Sequence, residues 1–268
     1  MPFEPRKAGF VLVSTGHGPM LVNRFDRQIS PVNGEAFGVG HYLLEEGAMS
    51  MGDIDVIKRM LDERRKHFGE RVMMLDCGAN IGTHTVSLAN HMTSWGNVAA
   101  FECQERLYGA LWGNITLNNC FNAQAFHVAV GAVEGTLMVP HLNFLEYASY
   151  GSLEMVQSNH NEAIGQAVDY TNAARVKMVS IDSLHLHRLD FIKLDVEGME
   201  LAVLHGAEGA LETFFPVLYI EYIKTDPREL TDFLESHGYS WTPSHINFLC
   251  VHKSDPCHDL LVKAAKTS

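Results

Sequence analysis

Four largely apolar runs in this sequence end on acidic side chains, which are the groups best suited to chemistry. They are Asp76, Glu102, Asp195 and Glu221. A short apolar run that stops at a polar residue is typical of a buried parallel strand. Carboxylates accept hydrogen bonds, pair with cations and take protons. Because parallel strands end at the same edge of a sheet, we expect these four groups to converge on one crevice.

A glycine-containing loop follows the first of these acids and leads into an amphipathic helix. Gly78 and Gly82 carry no Cβ, so the backbone can approach a ligand, and the free N–H groups of the first helical turn face the same side. A dinucleotide fingerprint would read Gly-x-Gly-x-x-Gly, so a pyrophosphate is not the expected ligand. An acid ahead of the loop favours a ligand that is both cationic and nucleoside-like, namely S-adenosylmethionine. We predict that cofactor contacts come from Asp76, Gly78, Asn80, Gly82 and Thr83.

Three later positions complete the predicted cofactor site. The end of the second strand lies beside the ribose of a ligand held at the first, where Glu102 can accept hydrogen bonds from both hydroxyls. The alternative is that Glu102 is an exposed loop acid. Val130 precedes a glycine turn after the third predicted strand, residues 125–131, which is the expected position of an adenine ring. Asp195 ends the fourth strand, where we expect it to face the reacting end of the cofactor.

Methyl transfer from such a cofactor is an in-line displacement, so catalysis needs alignment and removal of the acceptor's proton. The predicted catalytic residues are Asp195, Glu197 and Glu221. Glu197 shares the Asp195 side of the strand by two-residue alternation if the strand extends that far. Two alternatives stay open: Asp195 contacts the methionine ammonium group, and Glu197 caps the next helix. Tyr222, beside Glu221, is the next candidate.

Histidines give weaker signals than the acids. His84 faces the acceptor from the first turn of its helix, or it is a solvated or packing histidine. His185 and His187 have an alternate spacing that a metal site can use. The fifteen histidines are scattered, however, without a His, Cys and carboxylate set at ligand spacing, so we predict no metal site.

The elements that position these residues begin with an N-terminal appendage over residues 1–70. A hairpin is expected to turn at residues 15–18, and helical spacing predicts a helix over residues 53–68. That helix has a charged face, which includes Arg64, and an apolar face. The apolar face consists of Ile54, Ile57, Met60 and Leu61. It covers the sheet edge or roofs the pocket, or it packs without touching a ligand.

Residues 71–253 are predicted to form the main domain, and residues 254–268 a polar tail. A lid-like insertion at about residues 136–180 has a strand at each end and a long polar loop between them. Loops of this length inside a compact domain are usually lids, binding loops or disordered excursions. The candidates for closing over the cofactor are Tyr147, Ser149, Tyr150, Gly151 and Ser152. The alternative is a mobile surface loop.

Taken together, these motifs resemble one known family. Residues 76–85, Glu102 and above all residues 190–200, followed by Leu-His-Gly-Ala at 204–207, resemble the FkbM family of methyltransferases. The specific part is Ile-Lys-Leu-Asp-Val-Glu-Gly-Met-Glu within the third of these segments. The resemblance covers roughly residues 72–251.

This resemblance implies an α/β, Rossmann-like class I methyltransferase fold with helices on both faces. Its seven-stranded sheet is mostly parallel with an antiparallel last strand. The resemblance also implies S-adenosylmethionine as the methyl donor and O-methylation of small molecules or glycans. Cys103-Gln104 departs from the family pattern, which tends to have proline soon after the acid, so the shape of the adenine-side loop is the part least supported.

Overall composition limits the classes of partner. The 268 residues hold 20 basic and 32 acidic side chains, a formal net charge of -12, which repels a nucleic-acid backbone or an anionic lipid surface. The five cysteines form no Cys-x-x-Cys pair, so a reducing cytoplasm is expected. A signal peptide pattern and an apolar segment of membrane-spanning length are both absent from the sequence. We predict a cytoplasmic protein that acts on a small-molecule or glycan acceptor and leave homo-oligomerisation open.

Two other functions fit parts of the sequence. A dinucleotide-dependent oxidoreductase uses a similar sheet, but here the third glycine is missing and an acid precedes the loop. A non-catalytic module would keep the cofactor pocket as a binding or assembly surface. The acids at the ends of the first, second and fourth strands argue against that interpretation.

Overall fold

A computed structural model describes residues 7–259. Residues 1–6 of the expected appendage and 260–268 of the expected tail lie outside the described residues. The segment before the main sheet contains two antiparallel strand pairs and two helices: β1 (Phe10–Thr15), β2 (Gly18–Asn23), β3 (Gln28–Ile29), β4 (Ala36–Phe37), α1 (Val39–Glu45) and α2 (Met51–Phe68). Strands β1 and β2 form the expected hairpin, with Gly16-His17 as its turn.

Helix α2 packs its apolar side onto the sheet as its periodicity predicts. The buried residues on this side include Ile54, Ile57, Met60 and Leu61. The helix ends at Gly69, whose φ of 78° suits a residue without a Cβ. Arg64 departs from the sequence interpretation, which placed it on the charged outer face. It is only 3% exposed, because its guanidinium pairs with the buried carboxylates of Asp190 and Asp255.

The rest of the described chain alternates strands and helices. In chain order these are β5 (Val72–Cys77), α3 (Thr83–His91), β6 (Gly96–Phe101), α4 (Glu105–Leu117), β7 (Ala123–Phe126), β8 (Ala129–Val130), β9 (Gly135–Pro140), β10 (Ala173–Val179), β11 (Phe191–Leu194), α5 (Glu200–His205), α6 (Glu208–Phe214), β12 (Val217–Glu221), α7 (Pro227–Ser236), β13 (Tyr239–Ser244) and β14 (Asn247–His252). Two 3-10 helices add Tyr150–Ser152 and Asp182–Leu184.

Seven of these strands form the central sheet in the order β7-β6-β5-β11-β12-β14-β13. Neighbouring strands from β7 to β12 run parallel, and β14 pairs antiparallel with both β12 and β13. This confirms the expected fold class, including the antiparallel last strand. The strand order reverses between β5 and β11, and ligands bind at such a switch point, outside the carboxyl ends of the strands.

Helices cover both faces of this sheet. Successive side chains of a strand point to opposite faces, so Met74 joins the core under α2, α3 and α4, while Leu75 joins the core under α5, α6 and α7. Asp76, on the same face as Met74, therefore points toward α3. Within residues 7–259, none of the helices is long and apolar enough to cross a membrane.

The third strand differs from the sequence interpretation, which had one continuous strand over residues 125–131. Strand β7 stays in the central sheet, whereas β8 pairs with β10 in a separate sheet of order β8-β10-β9. The chain leaves the first sheet at His127, whose Nε2 lies 3.0 Å from the carbonyl oxygen of Cys103. The sequence pattern of an apolar run is the same whether its residues form one strand of one sheet or two strands of different sheets.

The expected insertion, residues 136–180, contains most of this second sheet. Strands β9 and β10 pair antiparallel and close the two ends of the insertion. The long segment between them carries the first 3-10 helix and packs on a small core of its own. That core consists of Val139, Leu153, Met155, Ile164 and Val176. The insertion is thereby positioned beside the carboxyl ends of the parallel strands.

Candidate functional site

The loop from β5 to α3 packs tightly on its neighbours. Gly78 and Gly82 have φ values of 78° and 91°, in the left-handed region that glycine adopts without strain. A Cβ at Gly78 would overlap the carbonyl oxygen of Asp195, and a Cβ at Gly82 would press on the Leu111 side chain. Both glycines therefore allow close packing within the protein, a requirement that the sequence argument had assigned to ligand approach.

A pocket lies at the carboxyl ends of β5, β6 and β11. Five of the eight residues predicted to bind the cofactor line it: Gly78, Asn80, Glu102, Val130 and Asp195. They come from the glycine loop, from the end of β6, from β8 and from the residue after β11. The chain therefore brings together groups that lie more than one hundred positions apart in the sequence, at the edge where the strand order reverses.

The other three predicted cofactor residues, Asp76, Gly82 and Thr83, are not among those that line this pocket. Asp76 is fully buried. Its Oδ2 accepts a hydrogen bond from the Thr85 hydroxyl at 2.6 Å, and its Oδ1 lies 3.5 Å from Lys193 Nζ. Thr83 begins α3 and is 6% exposed. These residues thus act on the pocket through the shape of the loop.

Glu102 is held at the end of β6 by two backbone N–H groups. Asn80 N donates to its Oε2 at 2.9 Å, and Gln104 N donates to its Oε1 at 2.7 Å. The residue is buried, and it is not the exposed loop acid of the alternative interpretation. Burial raises the pKa of Glu102 to about 7, although the two N–H groups oppose this shift. Each oxygen keeps a second acceptor site for a ligand hydroxyl.

Sequence reasoning missed the apolar walls of the pocket. Phe101, Leu137, Met155 and Met199 line it together with the residues above. Leu137 and Met155 belong to the insertion, so this part of the chain contributes directly to the pocket. An apolar residue at a strand end or in a loop has no pattern that separates a pocket wall from an ordinary core position.

The three predicted catalytic residues lie close together, with Asp195 and Glu197 lining the pocket and Glu221 beside them. One carboxylate oxygen from each of Asp195, Glu197 and Glu221 lies within 4.8 Å of the other two. We call these three residues the acid cluster. Lys193 Nζ lies 3.2 Å from Asp195 Oδ2, and Lys224 Nζ lies 2.5 Å from Glu197 Oε2. Two ammonium groups therefore oppose the charge of three carboxylates.

Two members of the acid cluster, Glu197 and Glu221, hold protons more tightly than ordinary carboxylates do. Burial, then the Asp195 charge, raises the pKa of Glu197 to about 8, against the effect of Lys224. Burial raises the pKa of Glu221 to about 9, and the charges of Asp195 and Glu197 add to that shift. Like charges at short range disfavour each other's ionisation. A cation bound beside Glu197 and Glu221 would favour their ionised forms and so release their protons. Either ionised carboxylate could then accept the proton of a nearby hydroxyl.

Glu197 reaches the acid cluster by a route that the sequence did not indicate. Strand β11 ends at Leu194, so the expected two-residue alternation stops before Glu197, which adopts a φ of 56° instead. It does not cap the following helix either. That helix, α5, begins without a side-chain cap hydrogen bond. Glu200 in its first turn instead holds the turn that precedes it, because its Oε1 accepts from the N–H groups of Val196 and Gly198 at 3.0 and 3.3 Å.

The oxygens of the acid cluster could also hold a divalent cation, since carboxylates are the ligands such ions prefer. Lys193 and Lys224 already face two of the three carboxylates. Within residues 7–259, no second group of three potential ligand side chains comes as close together, and His185 and His187 belong to none.

The 3-10 helix of the insertion closes one side of the pocket through polar contacts at its backbone. The carbonyl oxygen of Tyr150 accepts from Gln104 Nε2 at 2.8 Å, and that of Ser152 accepts from Lys224 Nζ at 2.9 Å. The N–H group of Tyr150 donates to Asp26 Oδ1 at 3.2 Å. Asp26 of the appendage, Gln104 in the loop after β6 and Lys224, which pairs with Glu197, thus all hold this segment.

The five loop candidates of the insertion have different environments. Gly151 lines the pocket. Ser149 and Tyr150 are buried, whereas Tyr147 is 60% exposed and packs edge-on against Phe25. Of these five candidates, Gly151 in the 3-10 helix is therefore the one that lines the pocket.

Two weaker candidates are His84 and Tyr222. His84 is half-buried in α3, where burial and then the Lys193 charge lower its pKa to about 3, so it is a neutral imidazole near the acid cluster. Tyr222 stacks on Phe248 with ring centroids 4.2 Å apart, and its hydroxyl donates to the carbonyl oxygen of His245. These contacts account for Tyr222 without a role in chemistry.

The residues of the pocket fit S-adenosylmethionine on chemical grounds. Glu102 offers acceptors for two ribose hydroxyls, Asp195 offers a negative charge, and apolar side chains between them suit a purine ring. A Cβ at Gly151 would press on the Asn80 side chain, so the wall of the insertion lies close to the glycine loop. Glu102 at one point of the pocket suits the ribose and Asp195 at another suits the positive charge, so together they match a ligand that is both cationic and nucleoside-like.

Comparison with known proteins places this site in context. The family model described as the methyltransferase FkbM domain matches residues 76–241, more than half of the chain. Methyltransferase 1 of Beauveria bassiana is 24% identical over 185 residues, which cover 65% of this chain and 74% of the relative. The hexuronic acid methyltransferase AglP of Haloferax volcanii is 26% identical over 200 residues, 73% of each chain.

Among solved structures, an FkbM methyltransferase from Methylobacillus flagellatus is similar, with 21% identity and a TM-score of 0.48. The similarity covers 68% of this chain and 44% of that one. The present chain therefore spans less than half of that solved chain.

Proposed function

This chain belongs to the FkbM family of S-adenosylmethionine-dependent methyltransferases, and on that premise we propose that it transfers a methyl group to a hydroxyl group of a small molecule or sugar. The observation that carries the proposal is that Asp195 both lines the pocket and belongs to the acid cluster. One site therefore offers a place for a cationic cofactor and, next to it, acceptors for a proton.

In this proposal, Glu102 accepts hydrogen bonds from the ribose hydroxyls and Asp195 faces the methionine end. Bound S-adenosylmethionine supplies an electrophilic methyl group on a positively charged sulfur. Asn80 and Gly78 connect the two carboxylates, because the first donates to Glu102 and the second packs against Asp195. The glycine loop thus fixes the distance between the carboxylates of Glu102 and Asp195. In a partly buried site the attraction between a carboxylate and a cation is stronger than in water.

Glu221 is the proposed general base. Glu221 would take the hydroxyl proton of the acceptor as the acceptor oxygen bonds to the methyl group that the bound cofactor would supply, with the neutral thioether as leaving group. A base works best when its pKa lies near the working pH, and burial brings Glu221 to about 9. Glu197 has a similar pKa but already pairs with Lys224, which makes it the less available acceptor.

A sugar hydroxyl is the proposed acceptor. Carboxylates accept hydrogen bonds from neighbouring hydroxyls, so an acid cluster suits a molecule with several of them. One relative bears the name hexuronic acid methyltransferase, which supports the sugar class. The insertion, which lines the pocket, and the appendage, which holds the insertion through Asp26, are the proposed source of selectivity among sugars.

We also propose that transfer needs no metal, because two ammonium groups already oppose the acid cluster. The rate should stay within about twofold after dialysis against EDTA, since the proposed roles of orientation and proton transfer need no Lewis acid. Recovery of a lost rate by added Mg²⁺ would instead assign the cluster to a divalent ion.

Calorimetry followed by a methylation panel tests the proposed function. Purified protein should bind S-adenosylmethionine and S-adenosylhomocysteine but not NAD, and it should then label neutral sugars, hexuronates or small alcohols with methyl from the labelled cofactor. Absence of binding by correctly folded protein would overturn the proposal. Binding without transfer across the whole panel would favour a non-catalytic module.

A further inference from the structure

Lys193 is a buried cation of the site that the proposed function has used only as a counter-charge to the acid cluster. It lies on β11, and its side chain is 6% exposed. Lysine is among the side chains least often buried without a partner. The strand pairing explains the position, because Lys193 stands directly opposite Asp76 on the neighbouring strand β5.

Three oxygens surround the ammonium group of Lys193. Its Nζ lies 3.2 Å from Asp195 Oδ2, 3.4 Å from the carbonyl oxygen of Gly78 and 3.5 Å from Asp76 Oδ1. These oxygens belong to the acid cluster, to the glycine loop and to the strand that leads into that loop. The oxygens of Asp195 and Gly78 accept hydrogen bonds from the ammonium group, whereas Asp76 Oδ1 has no hydrogen-bond partner and faces the group only as an ion pair.

Lys193 keeps its positive charge although it is buried. Burial lowers its pKa, but the charges of Asp195 and Asp76, the hydrogen bond to Asp195 and the charge of Glu221 outweigh burial and leave the pKa above its usual value. The group is therefore an ammonium ion at any pH at which an enzyme works, and it attracts both carboxylates.

We propose that Lys193 is the positioning residue of this site, because its ammonium group joins the Asp195 carboxylate to the glycine loop at Gly78. This inference rests on the proposed function of the pocket as a cofactor site. Lys193 lies behind the pocket wall and acts through Asp195, so it is not itself a catalytic residue. A purely structural alternative is that Lys193 only balances the buried charge of Asp76.

Substitutions on both sides of the ammonium group separate these roles. K193M removes the charge but keeps a side chain of similar length. Because K193M also leaves Asp76 buried without its cation, it carries a folding risk. The comparison of D76N with the double variant D76N/K193M avoids that risk, since the neutral amide introduced by D76N needs no counter-charge. D195N, alone and combined with K193M, shows whether Lys193 acts through Asp195.

The first measurement is the position of Asp195 in crystal structures of D76N and D76N/K193M. We expect the carboxylate to leave the glycine loop by about 1 Å or more in the double variant, a displacement that can cost on the order of 100-fold in rate. An unmoved Asp195 would overturn the proposal. This measurement does not depend on a known acceptor.

The second measurement compares methyl-transfer rates and S-adenosylhomocysteine affinity. K193M should lower the rate at least tenfold more than it lowers affinity, and K193M combined with D195N should be no slower than D195N alone. Full additivity, or full recovery of the rate in D76N/K193M, would reject the positioning role in favour of charge balance. If the wild-type protein binds neither cofactor form, the proposed function fails, and the Asp195 position still decides the role of Lys193.

Discussion

Asp195 combines two environments that are usually separate. It lines the cofactor pocket, and its carboxylate belongs to a cluster whose other members hold protons up to pH values of about 8 and 9. Closely spaced carboxylates titrate as a group, so the charge of the cluster depends on what binds next to it. A cationic cofactor favours the ionised form, which prepares the remaining carboxylates to accept a proton.

Asp195→Asn should therefore separate binding from transfer. We expect the transfer rate to fall about 100-fold or more, because the charge that orients the reacting end is lost, while affinity for S-adenosylhomocysteine falls less than about tenfold. Calorimetry and initial rates measure the two effects. Asp232→Asn is the matched control, since Asp232 is exposed on α7. Equal losses of rate and affinity would assign Asp195 to binding alone.

The pKa values of the cluster predict the pH dependence of transfer. A general base must be ionised, so the rate should rise with pH and approach its plateau near the pKa of Glu221, about 9 in the free protein. Because the Glu197 charge raises that pKa, Glu197→Gln should move the rising limb to lower pH. Rates as a function of pH at saturating cofactor test this. A limb that stays in place, or moves to higher pH, would remove Glu221 from the role of base.

At the scale of elements, the parallel strands of the site could be predicted because their side chains are buried on both faces. Such strands read as nearly continuous apolar runs, and an acid at the end of each run marks the edge of the sheet. The convergence of Asp76, Glu102, Asp195 and Glu221 at that edge follows from topology alone. Their individual contacts do not, since Asp76 turned inward toward Thr85 and Lys193.

The parts that could not be predicted depend on contacts between distant segments. Glu197 enters the acid cluster through a turn with positive φ, which alternation along a strand cannot describe. Arg64 is buried because two acids from far along the chain, Asp190 and Asp255, meet it. The apolar run that ends at Val130 is divided between two sheets. Its local sequence pattern would be the same if it formed one continuous strand.

Asp26 connects the appendage to the insertion and so bears on how both elements hold the pocket. Its carboxylate accepts from the N–H groups of Gly40 and Tyr150, at 3.0 and 3.2 Å. Asp26→Ala should lower the free energy of unfolding by roughly 2–4 kcal/mol, because each buried N–H group left without an acceptor costs about 1–3 kcal/mol. Urea unfolding measures this change.

The same substitution should weaken S-adenosylhomocysteine binding several-fold, since Tyr150 belongs to the 3-10 helix that closes the pocket. Calorimetry on folded Asp26→Ala protein tests this consequence. Asp232→Ala on the exposed side of α7 serves as the control. Unchanged affinity in a destabilised variant would limit Asp26 to a structural role.

At the scale of the whole molecule, the buried carboxyl groups couple stability to pH. Burial raises the pKa of Asp26 and of Glu102 to about 7, and it raises those of the acid cluster members Glu197 and Glu221 further. All four groups keep protons in the folded protein that the unfolded chain releases near pH 4. The formal net charge of -12 adds repulsion in the same direction as pH rises.

The sign of the resulting prediction follows from proton counting. Stability falls with rising pH wherever the folded state binds more protons than the unfolded state, so the free energy of unfolding should decrease between about pH 5 and pH 9. Urea unfolding at constant ionic strength measures it.

Glu221→Gln should flatten the upper part of this dependence, whereas Asp232→Asn should leave it unchanged. S-adenosylmethionine should stabilise the protein more at about pH 9 than at about pH 6, because Glu197 and Glu221 add their negative charges to that of Asp195 only as pH rises toward about 8 and 9. Stability that rises over this range would show that the acid cluster is ionised in the free protein, and the proposed base would then have to be sought elsewhere.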